Sequence, residues 1–120
     1  LRGPADTRLC PALGDADVDA ALALLRDAYW NTWPSDDELC RAHLGATAWV
    51  GARDASGRLV ATARALSDGG KFALIYDVMV AAEYRQKGLG DALLRLLLGH
   101  PRLRHSARIW LRTRDAMDFY

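Results

Sequence analysis

The sequence predicts an α/β domain, a mixed central sheet flanked by helices. Three observations carry that prediction. Apolar residues recur at helical spacing near the N-terminus, the period shortens to strand-like alternation in the middle, and a strand–helix–strand succession follows. At 120 residues the chain is expected to form a single domain spanning residues 1–120.

The first helix is predicted in "DVDAALALLRDAYW", where Val18, Leu22, Leu25 and Tyr29 form a stripe that Ala21, Leu24 and Ala28 widen. Trp33 precedes Pro34, whose ring pushes it out of helical space, so the helix ends near there. In "PSDDELCRAHLG" Ser35 and Glu38 make a capping box, Asp36 and Asp37 complement the helix dipole, and Gly45 ends the second helix. "ATAWVGARD" (46–54) and "GRLVATARAL" (57–66) read as strands joined by "DASG", a turn in which Gly57 can take positive φ. "SDGG" turns the chain into "KFALIYDVMV" (71–80), apolar enough for a central strand and carrying Asp77 near its end. A helix on Leu89, Leu93, Leu96 and Leu97 follows, closed by Gly99 and Pro101. "ARIWLRT" (107–113) is a further strand, and "RDAMDFY" begins a helical pattern. The strand–helix–strand portion predicts a parallel crossover.

Composition narrows the function. Sixteen basic side chains against fifteen acidic give +1, so no bulk field favours nucleic acid or a membrane surface. The apolar run "ALLRLLLG" is interrupted by Arg95 and too short to span a bilayer. Cys10 and Cys40 fit neither a disulfide framework nor a CxxC pair, which predicts a reducing, cytoplasmic setting. His43, His100 and His105 lack metal-ligand spacing, so no metal is expected. The Arg-rich "PRLRHSARIWLRTR" reads as a solvated face rather than an RNA surface, because its arginines mostly alternate along a strand or sit in a loop.

The most informative stretch is "EYRQKGLGDALLRLLLG" (83–99). Gly88 and Gly90 remove side chains where the strand turns into the helix, so the amides of Gln86, Lys87, Gly88, Leu89 and Gly90 can converge at the helix N-terminus. Arg85 and Lys87 add positive charge. The competing reading is a plain strand-to-helix turn with a solvated basic rim. The dinucleotide fingerprint fails because Leu93 stands where its third glycine belongs, and the P-loop fails because no Lys-Ser or Lys-Thr pair follows. A pyrophosphate approached by backbone remains.

"VAAEYRQKGLGDALL" resembles motif A of the GNAT superfamily, the GCN5-related N-acetyltransferases, written Q/R-x-x-G-x-G/A and present here as Arg85 to Gly90. The strand ending "DVMV", the tyrosine of "EYR" and the Leu-rich helix agree with it, and the resemblance covers most of the chain. It implies a GNAT-like fold whose C-terminal strands are missing from this chain. It also implies acetyl-CoA as co-substrate, with direct transfer of the acetyl group to a primary amine. Pantetheine is then expected on the main chain of Val78, Met79 and Val80, and the pyrophosphate on Arg85, Gln86, Lys87, Gly88, Leu89, Gly90 and Asp91. Asp77 is the candidate general base or water-holder, the alternative being a structural hydrogen bond to a neighbouring strand or loop. Tyr120 aligns with the family's general acid. Tyr29, Trp30 and Trp33 are candidates for an acceptor pocket, although core packing explains them too. The acceptor is expected to be a small-molecule or peptide amine, with no nucleic acid or membrane partner and with a homodimer possible. The rival function is a non-catalytic acyl-CoA-binding sensor or interaction domain.

Overall fold

The computed structural model describes residues 1–26 and 34–111. Strand β1 (Arg8–Cys10) is followed by a 3₁₀ turn and helix α1 (Val18–Leu25), then α2 (Asp36–Leu44). Strands β2 (Ala48–Arg53), β3 (Leu59–Ser67) and β4 (Phe72–Val80) come next, then α3 (Leu89–Leu98) and β5 (Arg108–Leu111). They build one five-stranded sheet in the order β1-β2-β3-β4-β5. The first four strands are antiparallel and β5 joins β4 in parallel, so the sheet is mixed as expected.

Most element boundaries follow the sequence signals. Ser35 accepts from the amide of Glu38 and Glu38 returns the bond to the amide of Ser35, completing the capping box. Asp54 closes the β2–β3 turn by accepting from the amides of Ser56 and Arg58, and Gly57 takes φ +92°. Gly45 follows α2 for a reason other than a left-handed cap. Its φ is −86°, and a Cβ there would lie 2.9 Å from the carbonyl oxygen of Arg41. β1 carries no sequence signal: three residues between a proline-containing turn and Pro11 offer no readable alternation. Only pairing with β2, from Arg8 opposite Arg53 to Cys10 opposite Gly51, makes it a strand.

The two faces of the sheet have different jobs. Trp49 packs its ring against His43 of α2, and Arg53 pairs with Asp17 just before α1, so Trp49, Gly51 and Arg53 face the α1/α2 layer. Alternation turns Ala48, Val50 and Ala52 to the other face, opposite Ala65, Ala63 and Ala61 of β3, all buried. This run of small residues lets α3 lie close, burying Leu89, Leu93, Leu94 and Leu97. Helix α1 centres its buried side on Ala21, Leu24 and Leu25, with Val18 and Leu22 at its margin. Strand β5 is exposed along its length.

Truncating Leu97, which is fully buried, to alanine is expected to cost about 2–5 kcal/mol of unfolding free energy. Ser35→Ala, which removes only a cap, is expected to cost about 1 kcal/mol. Urea unfolding curves of the two variants, with unchanged slope, check the order.

Candidate active site

The site begins with a break in register. Arg64 lies opposite Tyr76 and Thr62 opposite Met79, so two residues of β4, Asp77 and Val78, face the single Ala63. This is a β-bulge, and Asp77 carries its positive φ of 52°. Aspartate tolerates this left-handed conformation better than most side chains. Before the bulge, β4 is paired with β5 from Phe72 to Ile75. Beyond it, no strand among the described residues pairs with that side of β4.

Hydrogen-bond parity then decides which groups the open side offers. The amide of Ala81 donates to Val60 at 2.8 Å, so Ala81 and, two residues earlier, Met79 turn their main chain toward β3. Val78 and Val80 turn theirs toward the open side. Of the three strand residues singled out from the sequence, Val78 and Val80 therefore offer main-chain groups to an added strand, while Met79 presents its own to Thr62. Arg85 uses its Nε to hold the Val80 carbonyl at 3.0 Å, drawing the following loop back onto the strand end.

That loop delivers the chain to α3. Gln86 has φ 61° and Gly88 φ 83°, and Gly88 is the N-cap without any side-chain cap. The first intrahelical bond runs from Ala92 to Gly88, so the amides of Leu89, Gly90 and Asp91 lack helical acceptors. A Cβ on Gly88 would meet nothing within 4 Å, leaving open space beside these amides. Leu89 and Gly90 are buried, and Gln86, Lys87 and Gly88 are exposed. Lys87 lies with its Nζ 5.7 Å from the Tyr84 ring centre, and Asp91 pairs with Arg95 at 3.0 Å along the helix. Amides without helical acceptors, the helix dipole and the charges of Arg85 and Lys87 in the same loop are features that suit an anion.

The residues of sheet and loop thus converge. A family model for the acetyltransferase (GNAT) family matches residues 18–120. The chain belongs to the GNAT family of acetyltransferases. Solved structures agree. One from Xanthomonas campestris pv. campestris, assigned to the GNAT family, is 30% identical with a TM-score of 0.74, over 95% of this chain and 80% of that one. Glucosamine-6-phosphate N-acetyltransferase from Arabidopsis thaliana shares the fold at 19% identity and TM-score 0.73, over 95% and 87% of the two chains. Ribosomal-protein-alanine N-acetyltransferase from Brucella melitensis biovar Abortus 2308 does so at 22% and 0.71, over 96% and 86%. Among curated proteins none matches the chain significantly.

On the α1/α2 face of this GNAT sheet the bulge anchors a polar cluster that sequence reading missed. Asp77 accepts from the Nε of Arg64 at 2.8 Å, an ion pair that is mostly buried. The Arg64 guanidinium carbon lies 4.8 Å from the Tyr76 ring centre. Trp49 donates its indole N–H to the hydroxyl of Thr62 at 2.7 Å, and His43 meets Trp49 edge-on with ring centres 5.2 Å apart. The His43 Nδ1 lies 2.9 Å from the Leu39 carbonyl, which can only accept, so Nδ1 carries a proton and the buried Nε2 has no partner among the described residues. Arg64, Tyr76 and Thr62 alternate on strands that read as core, and only the register brings them to Asp77. Tyr29, Trp30, Trp33 and Tyr120 lie outside the described residues.

Burial pushes the His43 imidazole below its ordinary value of 6.5, with Arg64 adding to the shift and Leu39 and Asp77 opposing it. The unfolded chain therefore takes up a proton before the folded one does. Stability is complete above pH 6.5 and falls as the pH drops below it, by at most ~1.4 kcal/mol per pH unit. Glu38, Asp54 and Asp68 are held low by the hydrogen bonds they accept, chiefly from Ser35, Ser56 and Gly70, so the stability they contribute is present above about pH 4.5 and is lost only as the pH falls below it. Chemical unfolding between pH 7.5 and 5 is expected to show the loss in the wild type and to lose it in His43→Gln.

Proposed function

We propose that this chain is an N-acetyltransferase that moves the acetyl group of acetyl-CoA directly onto a primary amine. The observation that carries the reading is the uncapped start of α3, with open space at Gly88, in sequence after the bulge that turns Val78 and Val80 away from β3. The two features suit the two ends of one ligand. An extended pantetheine, whose amides are spaced nearly as in a peptide, fits the edge at Val78 and Val80. A pyrophosphate fits the amides of Gly88 to Asp91, beside Arg85, Gln86 and Lys87. The co-substrate supplies an activated acetyl thioester, and an amide of the strand end is placed to favour the charge that develops on its carbonyl oxygen.

The remaining chemistry falls to this chain's side chains. The acceptor amine reaches the site protonated and must lose a proton. Asp77, fixed at the bulge by Arg64, is the proposed acceptor of that proton, directly or through a held water. Tyr120 is the proposed donor to the departing thiolate, which a phenol can protonate. Tyr29, Trp30 and Trp33, in the segment between α1 and α2, are proposed to wall the acceptor pocket. The free Cys10 and Cys40 agree with a reducing, cytoplasmic setting. A second reading, an acyl-CoA-binding domain without turnover, draws its support from the engagement of Asp77 with Arg64, which a purely structural carboxylate also shows.

Calorimetry with acetyl-CoA and desulfo-CoA is expected to give micromolar affinity, lost in Gly88→Asp, whose carboxylate would enter the cradle. Gly88→Asn, which tolerates positive φ and adds no charge, separates repulsion from misfolding. An intact cradle that binds neither compound sinks the proposal. Asp77→Asn and Tyr120→Phe are each expected to lower kcat on the order of 10²-fold while leaving CoA affinity near the wild-type value. CoA binding without release of free thiol, across a broad set of amines, would favour the second reading.

A further inference from the structure

Arg64 carries more donors than the described residues satisfy. The Nε of Arg64 is committed to Asp77, but its two terminal nitrogens meet no acceptor among the described residues. A guanidinium carries five N–H groups, and mostly buried ones normally find partners. The Arg64 side chain is only 14% exposed, yet its terminal nitrogens are not sealed from solvent, since among the described residues the one sealed and unpartnered side-chain atom is the Nε2 of His43. Tyr76 lies against the guanidinium and Asp77 grips its inner edge, so the plane of the fork is fixed at the bulge of β4.

We infer that Arg64 and Asp77 together select a zwitterionic acceptor, an amine that carries an oxyanion, carboxylate or phosphate, within a few bonds of its nitrogen. The inference rests on the acetyltransferase reading and names the substrate class for it. Side-by-side opposite charges complement a ligand whose own charges lie side by side: the ammonium meets Asp77 and the oxyanion meets the terminal nitrogens of Arg64. A purely cationic acceptor is disfavoured, because it brings a further cation to the Arg64–Asp77 pair and no oxyanion for the terminal nitrogens of Arg64. An amine at a peptide N-terminus, its carboxylate converted to an amide, loses the second contact as well.

The test measures binding to protein saturated with desulfo-CoA, which cannot react. Paired amines that differ only in the oxyanion serve as probes: glycine against glycinamide, and phosphoethanolamine against ethanolamine. The wild type is expected to prefer the acid of at least one pair by about tenfold or more. Which pair shows it tells carboxylate from phosphate. The preference is expected to fall below about twofold in Arg64→Gln/Asp77→Asn, a neutral pair that avoids stranding a buried charge, with desulfo-CoA affinity retained. Arg64→Lys keeps the charge without the fork and is expected to retain part of the preference. Equal affinity within both pairs overturns the inference, as does a preference that survives the double substitution or a failure of every probe to bind. A wild type that does not bind desulfo-CoA overturns the acetyltransferase reading itself.

Discussion

The bulge at Asp77 and Val78 is the constraint on which the site depends. A sheet of evenly paired strands would carry β5 alongside β4 and consume every main-chain group between them. The extra residue changes the local twist of β4, and among the described residues β5 pairs with it from Phe72 to Ile75. The same residue turns Val78 and Val80 outward while Met79 keeps its place opposite Thr62. A left-handed aspartate costs on the order of 1 kcal/mol in backbone conformation, and the ion pair from Arg64 on the next strand holds it there. Geometry of the edge and charge at the edge thus share one cause.

The second constraint is the way the chain leaves β4. Val80 has a carbonyl on the open side that would otherwise face an incoming strand, and Arg85 covers it with Nε. That contact closes the loop from Val80 to Arg85, with a 3₁₀ turn at Ala82–Tyr84 inside it, before Gln86 and Gly88 take up positive φ. Only after those two residues can α3 start with its first amides uncapped. Its leucines, packed on the alanine-rich face of β2 and β3, anchor the helix so that its free end does not fray into the cradle. The core is therefore part of the site, because it holds the dipole in place.

Much of this was legible in the sequence, and the parts that were not share a physical reason. The Gly88-x-Gly90 pattern, the capping box at Ser35 and the turn at Gly57 are local signals, since each is fixed by the φ or the hydrogen bond of a residue or two. The α3 stripe was equally plain, because a single face of leucines needs only helical spacing. β1 escaped because three residues hold no period, and its strand character comes entirely from β2. Arg64, Tyr76, Thr62 and His43 escaped because their meaning lies in cross-strand register, and a bulge shifts register without announcing itself in composition. Asp77 could be singled out as a polar residue in an apolar strand, but its partner on β3 could not.

The buried polar cluster shows why that register matters beyond the strand edge. An unpaired carboxylate at Asp77 would carry a desolvation cost of several kcal/mol, and so would an unpaired Arg64. Together they are tolerable, and Tyr76 and the Trp49–Thr62 hydrogen bond keep them from collapsing into the apolar layer beneath α1. Burial, with Arg64 adding to it, lowers the pKa of His43 beside them and so disfavours a second cation in the same space. A fold that needed only stability would do as well with apolar residues at Arg64 and Asp77. An ion pair at the β4 bulge, with Arg64 nitrogens that meet no acceptor among the described residues, fits a site that must receive charge.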